Sequence, residues 1–494
     1  MAEPHDANGT EDNGYRTRPI DTDRMPTGIP YIVSNEMAER FSFYGMKSVL
    51  FVFMTTYLLG ADGDPAPLED AAANAVFHYF VSAVYFFPLL GALLADWVFG
   101  KYPVIIALSL VYCLGHAVLA MMDAPVLGAI EPRYALYVGL ALIAFGAGGI
   151  KPCVSAHVGD QFGRRNAHLL ERVFGWFYFS INLGAAISTV LCPWLLHHPD
   201  YGPAWAFGVP GVLMFLATAV FWIGRRHYAH VPPDGPRVTR ELKTRDGRVA
   251  VLRLLPLFVF VTAFWALFDQ TGSKWIEQAK QMDGTVSVPL YGEATILPSQ
   301  MAAANPFLVM LLIPVFSYGV YPLVNRFVAV TPLRKIGFGL ALAGLAAFQS
   351  AMLERWIDGG SERSVSILWQ LLPYVTLTSA ELLVSITGLE FAYSQAPRTL
   401  KSVLVALFYL SVSAANFVVG GLNSWIDSVR KAGDADFLSG PAYFDLFGYA
   451  SLAAAVGFVL WSLTFTYRTV LQSDDVPADD EAAIDAPPQD LPPA

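Results

Sequence analysis

Formal charge is scarce in this chain. Only 15% of its 494 residues are Asp, Glu, Lys or Arg, against about a quarter in an ordinary soluble domain. Too few charged side chains exist to cover a water-facing surface, while 55% of the residues are hydrophobic and 14% aromatic. Lipid is therefore the expected solvent. Cysteine is nearly absent too: Cys113, Cys153 and Cys192 each lie in an apolar stretch, which argues against a disulfide framework or a zinc cluster. The first 30 residues have no apolar core, so no cleaved signal peptide is expected. No HExxH, GxSxG, ATP-binding P-loop or paired metal-ligand motif occurs, so the chain reads as a non-enzyme with no cofactor or metal. The net charge of −10, owed partly to acids between Asp474 and Asp490, speaks against a nucleic-acid partner.

What the chain has in abundance is uncharged runs. Residues 71–95, 102–122, 173–199, 201–224, 294–325, 336–353, 402–426 and 446–467 contain no formal charge, and most can hold the ~20-residue helix that spans ~30 Å of hydrocarbon. Four further spans, near 31–59, 134–158, 252–278 and 366–392, are long enough only if a charge is admitted inside them. The expectation is an all-α membrane protein of twelve helices. Its charge-bearing helices are the first, fourth, seventh and tenth. One helix in three lining a central cavity gives two six-helix halves, the major facilitator layout. The divisions expected are a tail 1–30, a bundle 31–226, a polar basic linker 227–250, a second bundle 251–472 and an acidic tail 473–494. Alternate loops hold 17 Lys and Arg against six on the opposite side, which places both termini in the cytoplasm. Oligomeric state is not legible.

An ionised group at mid-membrane costs about 2.5–3.5 kcal/mol, so it normally faces a partner or a watery cavity. Helix 1 carries Glu36, Glu39, Arg40 and Lys47, with 36, 40 and 47 on one stripe; 36–40 alternatively belongs to the interface. Lys151 follows Gly146-Ala147-Gly148-Gly149-Ile150, glycines that suit close helix packing. Asp269 lies on helix 7 and Glu381 on helix 10, for which a structural ion pair is the alternative. Bases in one half facing acids in the other suit a zwitterion, and Lys47–Asp269 and Lys151–Glu381 are candidate bridges in its absence. His78, two turns before Tyr85, is a candidate proton carrier if it faces the cavity. Tyr44, Tyr79, Tyr85, Trp265 and Phe268 are candidate pocket walls, with lipid contact the default for each.

The run Glu36-Met37-Ala38-Glu39-Arg40-Phe41-Ser42-Phe43-Tyr44-Gly45 resembles the ExxERFxYYG signature of the proton-dependent oligopeptide transporter (POT, or PTR) family. The resemblance continues through Gly91 to Asp96, Ile150-Lys151-Pro152, Phe177 to Gly184, Phe264 to Trp275 and Gly388 to Pro397. It implies proton-coupled import of di- and tripeptides across the plasma membrane by alternating access, with protons as the coupling ion. Glu36, Glu39, Arg40, His78, Lys151 and Asp269 then belong to proton coupling, and Tyr44, Lys47, Tyr85, Lys151, Asn305 and Glu381 to the peptide site. Two positions depart from the pattern: Phe43 stands for the first tyrosine, and Lys47 for an arginine whose two-pronged grip on carboxylates lysine lacks. The alternative is a related carrier of nitrate or another small anion.

Overall fold

The computed structural model describes residues 14–122, 131–163, 165–233, 244–288, 292–360, 364–395 and 401–465. The acidic tail 473–494 and residues 234–243 of the expected linker lie outside these. Among the described residues eleven helices are long and apolar enough to cross a bilayer. They are α2 (Asp70–Phe99), α3 (Lys101–Ala120), α4 (Pro132–Gly159), α5 (Ala167–His197), α6 (Gly202–Arg226), α7 (Val251–Lys280), α8 (Pro298–Asn325), α9 (Pro332–Gly359), α10 (Ile367–Ala392), α11 (Leu404–Lys431) and α12 (Gly440–Thr464). The twelfth, α1 (Ile29–Val52), carries the cluster Glu36, Glu39, Arg40 and Lys47 and so falls short on apolarity while matching the others in length.

The helices form two halves, each folded around its own hydrophobic core. Residues from Ile29 to Tyr228 supply nearly all of one core, and residues from Leu254 to Phe458 nearly all of the other. Within a half, helices approach through glycine, as expected where lipid gives apolar side chains no reason to associate. A Cβ on Gly91 of α2 would lie 2.3 Å from the Gly149 carbonyl oxygen of α4, and one on Gly115 of α3 would lie 2.8 Å from the Ile143 amide nitrogen of α4. Several helices are irregular. A 3₁₀ turn, Asp269–Gly272, interrupts α7, and a π-helical turn, Leu382–Ile386, follows Glu381 in α10. Such departures from α geometry, one tighter and one wider, often mark functional sites, because they re-aim side chains within an otherwise regular helix.

The two ends of the bundle differ. At the linker end, the segment before α1 is tied down: Arg16 donates to the His227 carbonyl at 2.8 Å, the His230 amide donates to the Arg16 carbonyl at 2.6 Å, and Arg165 grips Asp23 with two hydrogen bonds of 2.6 and 2.8 Å. That guanidinium holds the exposed Asp23 carboxyl below the usual carboxylate range. At the opposite, loop end, a hairpin of β1 (Thr285–Val288) and β2 (Gly292–Thr295) pairs Val286 with Ala294. The sequence reading had no strand there.

Overpacking a helix contact typically costs about 1–3 kcal/mol. We expect Gly91→Leu to lose at least that much, read as a lowered melting temperature of the detergent-solubilised protein. Gly159→Ala, where an added methyl meets nothing within 4 Å, should leave it unchanged.

Candidate functional site

Between the halves lies a cavity of about 320 Å³. Arg40, Tyr44 and Lys47 reach it from α1, Tyr85 from α2, Lys151 from α4, Asn305 from α8 and Glu381 from α10. All six residues expected at a peptide site thus share one space. Their sequence neighbours explain the arrangement: Arg40, Tyr44 and Lys47 recur at helical spacing, which aligns them on one face of α1. Trp265, Phe268 and Tyr409 supply apolar wall, and Tyr178 and Asn182 of α5 also line it. Those last two were missed as site residues, although they stand four apart in an apolar helix and so share a face. Tyr79 instead packs against Gly420 of α11 at the seam between the halves.

The charges fall into three groups. First, Lys47 Nζ lies 2.6 Å from Asp269 Oδ1, joining α1 to α7. The other Asp269 oxygen accepts from Asn416 Nδ2 at 2.8 Å. Since the carboxylate fixes the amide's donor end, Asn416 Oδ1 must face His78, whose Nδ1 stands 2.7 Å away and therefore donates. His78 Nε2 is then left to accept from the Ser273 hydroxyl at 3.0 Å. His78 does not line the cavity, contrary to the condition set for it from sequence. It is fully buried and faces α7 and α11, because the α2 face carrying it is the one that packs on α11. Asn416 and Ser273 were missed, since a neutral amide and a hydroxyl leave no mark on a charge-free run.

Second, Arg40 Nε lies 2.7 Å from Glu36 Oε1 and 3.2 Å from Glu39 Oε2. Both acids are buried, which sets aside the interfacial alternative for 36–40.

Third, Lys151 and Glu381 do not form the bridge considered from sequence. Lys151 Nζ lies 4.1 Å from the centre of the Phe43 ring and 4.5 Å from that of Tyr85, a cation–π cradle. Its Nζ has no hydrogen-bond partner among the described residues. Glu381 Oε2 instead accepts from Asn305 Nδ2 at 2.7 Å, and Asn305 is steadied by Thr378 at 3.2 Å. The Phe43 departure thus has a physical correlate: the lysine rests on its ring face.

Bonds between the halves gather at the loop end. Asn74 of α2 donates to Glu277 of α7 at 2.8 Å. Lys280 stands 3.6 Å from Asp70, and Ser82 and Ser413 exchange hydrogen bonds across α2 and α11. Toward the linker end a second cavity of about 320 Å³, lined by Asp96, Pro152, Phe174 and Val405, shares Tyr409 with the first.

Two helical halves around a charged cavity, built from helices long and apolar enough to cross a bilayer, have the architecture of the major facilitator fold. The profile of the POT family, PTR2, matches residues 102–245 and 237–437. The chain is 38% identical over 374 residues to "Solute carrier family 15 member 2" of Rattus norvegicus, covering 68% of this chain and 50% of that protein. It is 37% identical over 380 residues to "Peptide transporter family 1" of Drosophila melanogaster, covering 69% and 49%. The chain therefore spans about half the length of the curated relatives it matches. The crystal structure of the POT family transporter PepTSo superposes with a TM-score of 0.78 at 38% identity, over 89% of this chain and 98% of that one. The chain belongs to the POT family.

Removing one partner of a buried pair typically costs about 3–5 kcal/mol because it strands the other charge, whereas replacing both can be nearly neutral. We expect Lys47→Met and Asp269→Leu each to lower the melting temperature, and the double variant to regain most of the loss. Additive losses in that cycle would show that the pair contributes nothing as a pair.

Proposed function

We propose that this chain is a plasma-membrane symporter that imports di- and tripeptides with protons by alternating access, with both termini in the cytoplasm. One observation carries the reading: among the described residues the cavity holds a cation of one half, Lys151, with no hydrogen-bond partner, and an acid of the other half, Glu381, that accepts from a neutral amide. A zwitterionic backbone supplies what both lack. Its carboxylate fits the Lys151 and Lys47 side and its ammonium the Glu381 side. The aromatic walls accept varied side chains without demanding a particular hydrogen bond. The names of the relatives agree with this substrate class. A small anion suits the cavity less well, since Glu381 repels it.

The tied loop end and the second cavity toward the linker end support reading this conformation as the inward-facing stage of the proposed cycle. A proton reaching Asp269 neutralises the charge that holds Lys47. Asn416 then loses its anionic acceptor and passes the change to His78, so the tie between α1 and α7 weakens in step with the seam between α2 and α11. A ligand or proton shifts such an equilibrium only by its differential affinity for the two states; peptide contributes this by bridging Lys151 and Glu381, which belong to opposite halves. Arg40, with Glu36 and Glu39, forms the second proton-linked group behind the cavity.

In proteoliposomes we expect Glu39→Gln to keep peptide counterflow and lose accumulation driven by an imposed pH gradient. Glu381→Gln should weaken competition by peptides with a free amino group about 10- to 100-fold, the worth of a charge-assisted hydrogen bond, and leave N-acetylated peptides little affected. Full accumulation by Glu39→Gln liposomes would remove helix 1 from the coupling scheme.

A further inference from the structure

Inside the first half, several buried polar atoms have no hydrogen-bond partner among the described residues: both amide atoms of Asn35, both carboxylate oxygens of Glu39, the Ser109 hydroxyl and the Tyr112 hydroxyl. Each of these residues is at most 1% exposed. Arg40 Nε approaches Glu39 at 3.2 Å without forming a hydrogen bond. Glu39 is faced also by Glu36 on its own helix and by Lys151 from α4. Tyr112 lies within electrostatic reach of Glu39 and Arg40.

Depth along the helices places these groups at matching levels. At 1.5 Å per residue, Glu39 is about 15 Å from the start of α1 and Tyr112 about 16 Å from the start of α3. Both helices start at the linker end, and on both the next orphaned group toward that end is one turn away: Asn35 four residues before Glu39, and Ser109 three residues before Tyr112. Buried polar groups left unpaired by protein are where internal water binds, given two to four partners per molecule.

We propose that α1 and α3, each packed on α4 and α6, face an internal water site, held by Asn35, Glu39, Ser109 and Tyr112, that carries the proton of Glu39 toward the linker end without passing through the peptide cavity. The inference rests on the proton-coupled reading above. The Glu39 carboxyl gives its proton to a water; each hydroxyl or water along the line accepts one proton and releases another, so every member returns to its starting form. Separating this path from the cavity lets the proton leave while peptide still occupies its site.

Two measurements test it on the full chain. Hydroxyl-radical footprinting labels buried side chains beside bound water; Tyr112 should label faster than Tyr228, which is equally buried but donates to the Phe221 carbonyl at 3.0 Å. In proteoliposomes Tyr112→Phe, which keeps the ring, should cut pH-gradient-driven accumulation about tenfold and shift its pH profile, while counterflow, which moves no net proton, stays within twofold. Tyr112 labelling no faster than Tyr228 overturns the water site, whatever the transport results. Equal loss of counterflow and accumulation, or full accumulation, overturns the proton role. Footprinting does not depend on transport, so failure of Glu39→Gln to lose accumulation would strike the proton-coupled reading and leave the water site to stand or fall separately.

Discussion

An ionised side chain cannot stand alone in hydrocarbon, and the Lys47–Asp269 pair meets that constraint across the boundary between the halves. A buried pair gains much of its Coulombic attraction back only after heavy desolvation, so its net worth is modest even though each partner needs the other. That combination suits a carrier. The pair holds while nothing replaces it, and neutralising the acid would leave Lys47 in need of another anion. Asn416 and His78 extend the same constraint from α7 to the seam between α2 and α11, so that one neutralisation is felt by four helices.

The halves contribute asymmetrically. The first brings cations to the cavity, and the second brings Glu381 with Asn305. Lys151 is satisfied by ring faces and Glu381 by an amide, both of which a ligand can displace more easily than an ion pair. A cavity whose charges were already paired with each other would have to break that pair for each charged ligand. Here the two poles are held apart, ready for a molecule that carries both signs.

Much of this was legible in the sequence because hydrocarbon punishes charge so strongly. The spans could be counted from charge-free runs, and the exceptions, in the first, fourth, seventh and tenth helices, supplied Lys47, Lys151, Asp269 and Glu381. What stayed hidden has physical causes as well. Asn416 and Ser273 are neutral and vanish into apolar runs. Lys151 and Glu381 were natural partners by sign, but sign says nothing of the distance between halves, and the ring of Phe43 was nearer. His78 shares one face of α2 with Tyr85, as expected, and that face meets α11, but two turns from Tyr85 it is sealed by Asn416 rather than open to the cavity. The hairpin β1–β2 is four residues a side, and the alternation of Thr285-Val286-Ser287-Val288 is too short to stand out beside the long apolar runs.

The bonds that strap residues 16–23 onto Arg165 and the 227–230 segment join three stretches that all belong to the first half. This segment is therefore bonded into one half as part of a single solid body. Its position is a built-in reference mark: a probe placed there reports the orientation of the first half, and its distance to α9 or α12 would measure any displacement between the halves without touching the cavity.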